Sequence, residues 1–188
     1  ARGRYGAPWS VFVVARSGLD DKAEEKVIVD PNVLDPSGKT TIDFYVPSRD
    51  GKLVAVSLSK GGSESGDVHV FDVATGKEKG DVVERVNGGT AGGSLTWTAD
   101  GSGFYYTRYP KKGERPAEDL DFYQQVWFHK LGQKPEADTY AVGKDFPRIA
   151  EVELFTSPSG KHVLAEVANG DGGEYMHWLL GPKGWVQI

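Results

Sequence analysis

The 188-residue chain has no cysteine, which excludes a disulfide framework, a thiolate zinc site and a cysteine nucleophile within it. That absence does not choose between cytoplasm and periplasm, so compartment stays open. An unbroken apolar run of about 18 residues is also missing, and no helical membrane span is expected. The longest apolar tract, Val11-Phe12-Val13-Val14-Ala15, has strand length. A basic stripe is lacking: 22 Lys and Arg against 27 Asp and Glu give a formal charge of −5, which argues against a nucleic-acid surface. A long amphipathic helix is absent too. The best candidate, Ala117 to Phe128, has few apolar positions at helical spacing and ends in strand-like Val126-Trp127-Phe128. The first residue is not methionine and no signal-peptide pattern follows it, which leaves room for an N-terminus upstream.

Glycine is plentiful, at 25 residues beside 10 prolines, as suits many short strands joined by turns. The stretch Leu95 to Tyr109 shows the pattern best. Trp97, Phe104, Tyr105, Tyr106 and Tyr109 supply aromatic residues suited to a half-buried pleated surface. Asp100-Gly101 between them supplies the positive φ that a tight hairpin needs. The device recurs at Ser48-Arg49-Asp50-Gly51-Lys52 and at Ser157-Pro158-Ser159-Gly160-Lys161, each followed by an apolar run. The turns stand about 50 and then about 59 residues apart, within or close to the periods of propeller blades.

Residues 1–8 read as a lead-in, Trp9 to Arg16 and Lys26 to Asp30 as strands joined by Ser17 to Asp21, with turn signals at Asp30-Pro31-Asn32 and Asp35 to Lys39. This is the trailing part of a blade. Three fuller units follow, at about 40–86, 94–142 and 149–188, each with four strand-like runs; Asp67 to Val73 alternates polar and apolar residues. The fold class expected is all-β: a partial β-propeller of about three four-stranded antiparallel blades plus a blade remnant over 1–39, with no internal domain boundary. Propellers close with more blades than this, and an arc leaves strand edges unpaired. Two accounts follow: the chain is a piece of a larger one, or copies associate through those edges.

Sites of chemistry are sparse. Gly92-Gly93-Ser94-Leu95-Thr96 approaches a nucleophile elbow but has threonine last and leads into a strand, so Ser94 reads as a strand or loop serine. Asp67-Val68 stands where the Gly61 to Gly66 loop would need the Lys and Ser/Thr of a phosphate loop. Gly101-Ser102-Gly103 lacks the third glycine of a dinucleotide fingerprint and reads as a hairpin. Asn169 to Glu174 is oxygen-rich, but Glu174 and Leu180 stand where an EF-hand needs glycine and glutamate. His69, His129, His162 and His177 form no short ligand pair and read as solvated or core-edge side chains. No catalytic residue, metal site or cofactor is nominated. Trp97 with Tyr105, and Trp127 with His129, are expected to lie on one face of a strand or on neighbouring strands and to pack between blades.

Several phrases resemble the prolyl oligopeptidase family: Asp30-Pro31-Asn32-Val33-Leu34, Tyr45 to Lys52, Ser57 to Ser63, Val70 to Lys77, Trp97 to Pro110 and Gln125 to Gly132. They run in order over nearly the whole chain from about Val11. The resemblance implies a serine peptidase whose α/β-hydrolase catalytic domain is capped by a seven-bladed propeller, with this chain spanning the end of the first blade to about the fourth. It implies that the catalytic triad lies in the hydrolase domain, after the propeller, and that none of it maps here. The hydrolase domain and a peptide substrate are the partners implied, with no nucleic acid and no membrane.

Two departures stand out. Val86 to Ser94 (VNGGTAGGS) replaces the family's short Val-Lys-Phe-Ser-like run, and Ile149 to Leu154 (IAEVEL) replaces Trp-Met-Gly-Gly-like residues. The segment Asn87 to Gly93, with Asn87, Gly88, Gly89 and Thr90 as its substrate-facing residues, is either an active-site-facing loop or a flexible connection. Two functions are carried forward. One is a non-catalytic wall of a substrate-gating chamber in a prolyl-oligopeptidase-like peptidase. The other is a stand-alone binding module that closes by self-association.

Overall fold

The computed structural model describes residues 13–18 and 23–188. The lead-in 1–8, the first half of the expected strand from Trp9, and part of the Ser17 to Asp21 connection lie outside those residues. β1 (Val13–Arg16) and β2 (Glu25–Val29) form an antiparallel pair. A single helical turn, Pro31–Leu34, follows, where the sequence suggested only a turn. The Asp30 carboxylate accepts the Asn32 amide at 2.9 Å and Pro31 opens the turn, so the local chemistry suffices to cap it.

Three four-stranded antiparallel sheets then succeed one another, each built in simple chain order. The first holds β3 (Thr40–Pro47), β4 (Leu53–Lys60), β5 (Gly66–Asp72) and β6 (Glu78–Asn87). The second holds β7 (Leu95–Trp97), β8 (Gly103–Arg108), β9 (Gln125–Lys130) and β10 (Thr139–Val142). The third holds β11 (Ala150–Thr156), β12 (Val163–Asn169), β13 (Tyr175–Gly181) and β14 (Gly184–Gln187). Ala117 to Phe128, the best helical candidate, contains one 3₁₀ turn at Ala117–Asp119 before β9 begins.

The turn chemistry works as the residues suggest. Gly101 has φ +68°, and the Asp100 carboxylate accepts the Ser102 amide at 3.0 Å and the Thr98 hydroxyl at 2.7 Å. Gly51 repeats the geometry at φ +69°.

Period-two alternation sends successive side chains to two different seams. On β4, Val54, Val56 and Leu58 join Val13, Ile28, Val29 and Phe71 against the β1–β2 pair. Ala55 turns the other way and joins Val68, Val70, Val83 and Val86 against Leu95, Trp97, Phe104 and Tyr106 of the second sheet. Between the second and third sheets, Val126 and Val142 meet Val152, Leu154, Ala165 and Val167. β4 is buried on both faces: it opens on the apolar run Leu53 to Val56, and its buried Ser57 and Ser59 hydroxyls donate to Asp43. The last sheet differs: on β11, Glu151, Glu153 and Phe155 alternate outward and are exposed.

Trp97 and Tyr105 stand on the neighbouring strands β7 and β8 and each packs between blades, but on opposite faces. Trp97 stands opposite Phe104 in the ladder and meets its ring edge-on at 5.2 Å, whereas Tyr105 faces the third sheet and packs on Trp185 at 5.5 Å. The cause is parity: Tyr105 follows Phe104 by one residue and must point to the opposite side. Trp127 and His129, two apart, do share the face toward the first sheet. Among the described residues the architecture is a partial β-propeller: three stacked four-stranded blades and a two-stranded remnant.

Candidate functional site

The first strands of the sheets lie side by side and are cross-tied. Trp97 Nε1 donates to the Val46 carbonyl at 3.0 Å, joining β7 to β3. The Leu154 amide donates to Ser94 Oγ at 2.9 Å, and Thr156 Oγ1 donates to the Trp97 carbonyl at 2.8 Å, joining β11 to β7. Ser94 thus sits just before a strand, its oxygen engaged by a backbone amide.

Because every sheet is an up-and-down meander, each crossover from a last strand to the next first strand falls at the same end as the second-to-third-strand loops. The 88–94 crossover, the 61–65 loop, the long 109–124 loop and the 170–174 loop therefore share one end. The candidate residues Asn87, Gly88, Gly89 and Thr90 lie on the first of these.

This crossover is a closed loop with a firm base. The Gly88 amide donates to the Gly92 carbonyl at 3.1 Å, and the Gly92 amide returns the bond to the Gly88 carbonyl at 2.8 Å. Tyr109 lies beneath: its hydroxyl donates to the Gly92 carbonyl at 3.1 Å and accepts the Ala91 amide at 3.0 Å. Gln124, fully buried, adds a donor from Nε2 to the same carbonyl at 2.9 Å, while its Oε1 accepts the Val152 amide at 3.2 Å. One side chain therefore connects the loop to the third sheet. Asn87 Nδ2 donates to the Glu64 carbonyl at 3.1 Å and ties the loop to its neighbour at the same end.

Glycine at position 88 is dictated by close approach, since a Cβ there would stand 2.6 Å from a Tyr109 ring carbon. Gly92 adopts φ +63°, a conformation few side chains accept. Gly89 and Thr90 form the exposed tip. The four candidate residues are thus brought together, with Asn87 and Gly88 in the base and Gly89 and Thr90 in solvent. Burial pushes the Tyr109 phenol up to about 12, so it keeps its proton and serves as a fixed donor rather than an acid or base.

Nothing in the sequence alone marks Tyr109, Gln124 and Glu64 as supports of this loop. Tyr109 was visible as the last aromatic of the central hairpin, and the two adjoining glycine pairs, Gly88-Gly89 and Gly92-Gly93, mark a segment where something large must approach closely. Neighbouring loops are braced by arginines. Arg85 Nη2 pairs with Asp121 at 3.0 Å, Arg148 Nε pairs with Asp119 at 2.9 Å, and the Arg148 guanidinium lies 3.5 Å over the Phe122 ring.

Comparison with known proteins is consistent along the whole arc. The family model for the prolyl oligopeptidase N-terminal β-propeller domain matches residues 6–184. The chain is 29% identical over 161 residues to a prolyl endopeptidase of Elizabethkingia meningoseptica, covering 84% of this chain and 22% of that protein. It is 26% identical over 177 residues to prolyl oligopeptidase A of Galerina marginata, covering 82% of this chain and 24% of that protein. A solved structure from a study of two prolyl endopeptidases superposes with a TM-score of 0.78 at 26% identity, over 94% of this chain and 25% of that one. Prolyl oligopeptidase B from Galerina marginata, bound to a 35mer substrate, shares the fold with a TM-score of 0.72 at 22% identity, over 87% of this chain and 25% of that one. This chain therefore spans about a quarter of the length of the proteins it matches. It belongs to the prolyl oligopeptidase family, as a segment of that family's N-terminal β-propeller domain.

Proposed function

We propose that the chain is a non-catalytic propeller segment of a prolyl-oligopeptidase-like serine peptidase, forming part of the wall of a substrate-gating chamber. The observation that carries this reading is the braced crossover at Asn87–Gly93. Its base is fixed by Tyr109 and Gln124, and its exposed tip presents Gly89 and Thr90. A wall that sorts peptides by size needs such a rigid base more than it needs reactive groups. The α/β-hydrolase domain of a longer chain would supply the triad, and a peptide would pass the tip.

The test is Thr90→Trp in the full-length enzyme. The expected result is a KM for long proline-containing peptides raised by about threefold or more, with kcat for a short chromogenic substrate little changed. Equal kinetics at every peptide length would place the tip outside the substrate path.

A second reading, self-association into a closed ring, draws on the outer face of the last sheet. Phe155 stands opposite Leu164, Leu164 opposite Leu179, and Leu179 opposite Val186, an apolar row in which Phe155 is 45% and Val186 50% exposed. Sedimentation discriminates: a monomer at the highest soluble concentration removes this reading.

A further inference from the structure

His129 is fully buried, and a carboxylate faces each of its ring nitrogens. Nδ1 lies 2.7 Å from Asp138 Oδ1, and Nε2 lies 3.3 Å from Asp81 Oδ1. The two carboxylates are themselves almost sealed from solvent, at 2% and 6% side-chain exposure. A neutral imidazole carries one N–H and would aim a lone pair at the other carboxylate; only the cation can donate from both nitrogens.

The surroundings favour that cation. Burial alone would lower the His129 pKa, but the hydrogen bonds and charges of Asp138 and Asp81 outweigh it and hold it above the ordinary histidine value. From β8, the Tyr106 hydroxyl donates to the second oxygen of Asp138 at 2.7 Å, and burial together with that carboxylate keeps the phenol protonated. The Gly132 amide donates to Asp81, and the Phe104 ring covers the imidazole with its centroid 5.2 Å away. Arg108, also on β8, acts on Tyr106 but is held by Glu114 and lies over Trp127. Of the other charges on β6, β9 and the Pro135–Ala137 turn, Lys79, Glu84, Lys130 and Glu136 are exposed, Glu78 pairs with His69 and Arg85 with Asp121.

Asp81 belongs to the outermost strand of the first sheet, whereas His129 lies on β9 of the second and Asp138 in the β9–β10 connection, just before β10. We propose that His129 is a pH-sensitive clasp between these two blades, the imidazolium joining Asp81 to Asp138 across the seam. When the proton passes to solvent hydroxide, two buried carboxylates are left facing a ring that can satisfy only one of them, and the seam loosens. The raised pKa fixes the direction. The clasp is complete below the unfolded-state value and is lost as pH rises through the folded-state value.

The test is ¹⁵N NMR of the histidine-labelled chain with amide hydrogen exchange. At about pH 7 both His129 nitrogens should read as protonated. Through the alkaline titration of that ring, the protection of the Val83 and Phe128 amides, on either side of the seam, should fall by about tenfold or more after correction for the intrinsic base-catalysed rate. Asp81→Asn, which keeps the shape and removes one charge, should lower the His129 proton affinity by about tenfold and speed seam exchange at about pH 7. A neutral His129 tautomer at about pH 7, or a ring that titrates without any change in seam protection, overturns the proposal.

Discussion

Arg49 and Ser157 lie 108 residues apart in the chain, and Arg49 Nη1 donates to the Ser157 carbonyl at 2.9 Å. The second nitrogen, Nη2, reaches the Pro158 carbonyl. Arg49 lies in the turn between β3 and β4, and Ser157 follows β11, so the contact links the first and third sheets past the second. A Cβ added to Gly160 would stand 2.6 Å from the Ala99 side chain, which places all three first turns together at this end. The guanidinium fork can serve two carbonyls at once, which an ammonium cannot match. Arg49→Ala should lower stability by about 1 kcal/mol, since the pair is solvent-exposed, and Arg49→Lys should recover little of it. Urea denaturation of the three proteins measures both.

At the opposite end the base of the crossover gives a sharper expectation. Tyr109→Phe removes a donor from the Gly92 carbonyl and an acceptor from the Ala91 amide, costing about 1–2 kcal/mol. Gly88→Ala drives a methyl into the Tyr109 ring and should cost at least as much. Amide exchange should show the change at Ala91 and Gly92 in both variants, with β4 and β5 unaffected. Uniform loosening of all sheets would mean that the loop is not a separate unit.

Trp97 is buried at 2% exposure and ties two sheets through the Val46 carbonyl. Trp97→Ala should cost about 3–5 kcal/mol from the cavity, and Trp97→Phe a smaller amount that includes the orphaned carbonyl. Paired denaturation curves separate the packing loss from the hydrogen-bond loss.

Acid should act through the turn aspartates. The Ser102 amide and then the Thr98 and Ser102 hydroxyls hold the Asp100 carboxyl down at about 2, and the Lys52 backbone and side chain do the same for Asp50. A carboxyl lowered in the folded state stabilises above its unfolded value, and that contribution disappears as pH falls through the folded one. Asp100→Asn should therefore flatten the stability curve between about pH 4 and about pH 2 while leaving its neutral-pH shape in place. An unchanged acid limb in the variant would show that the turn carboxyl does not control it.

The hairpins were legible because their information is local: Asp-Gly and Ser-Gly pairs fix φ where the chain reverses, and alternating residues mark the faces. The family was legible for a related reason, since its phrases are turns and strand starts in order. What escaped was set by contacts between sheets. Trp97 and Tyr105 stand on neighbouring strands and pack between blades as expected, but one-residue parity sends them to different seams, which sequence proximity does not show. Tyr109 and Gln124 brace a loop 17 and 32 residues away from Gly92, a relation no spacing rule reveals. His129 reads from the sequence as a solvated or core-edge histidine, whereas it is fully buried, because the Asp81 that holds it stands 48 residues before it. The departure and the glycines of Asn87–Gly93 mark the segment in the sequence, but its rigid base depends on side chains distant in the chain.

The central claim, that this chain walls a chamber and performs no cleavage itself, meets its most direct test in a peptide-hydrolysis assay. The purified chain, incubated with proline-containing peptides, should give no cleavage above buffer. Turnover that scales with chain concentration and survives both Ser94→Ala and repurification would contradict the account.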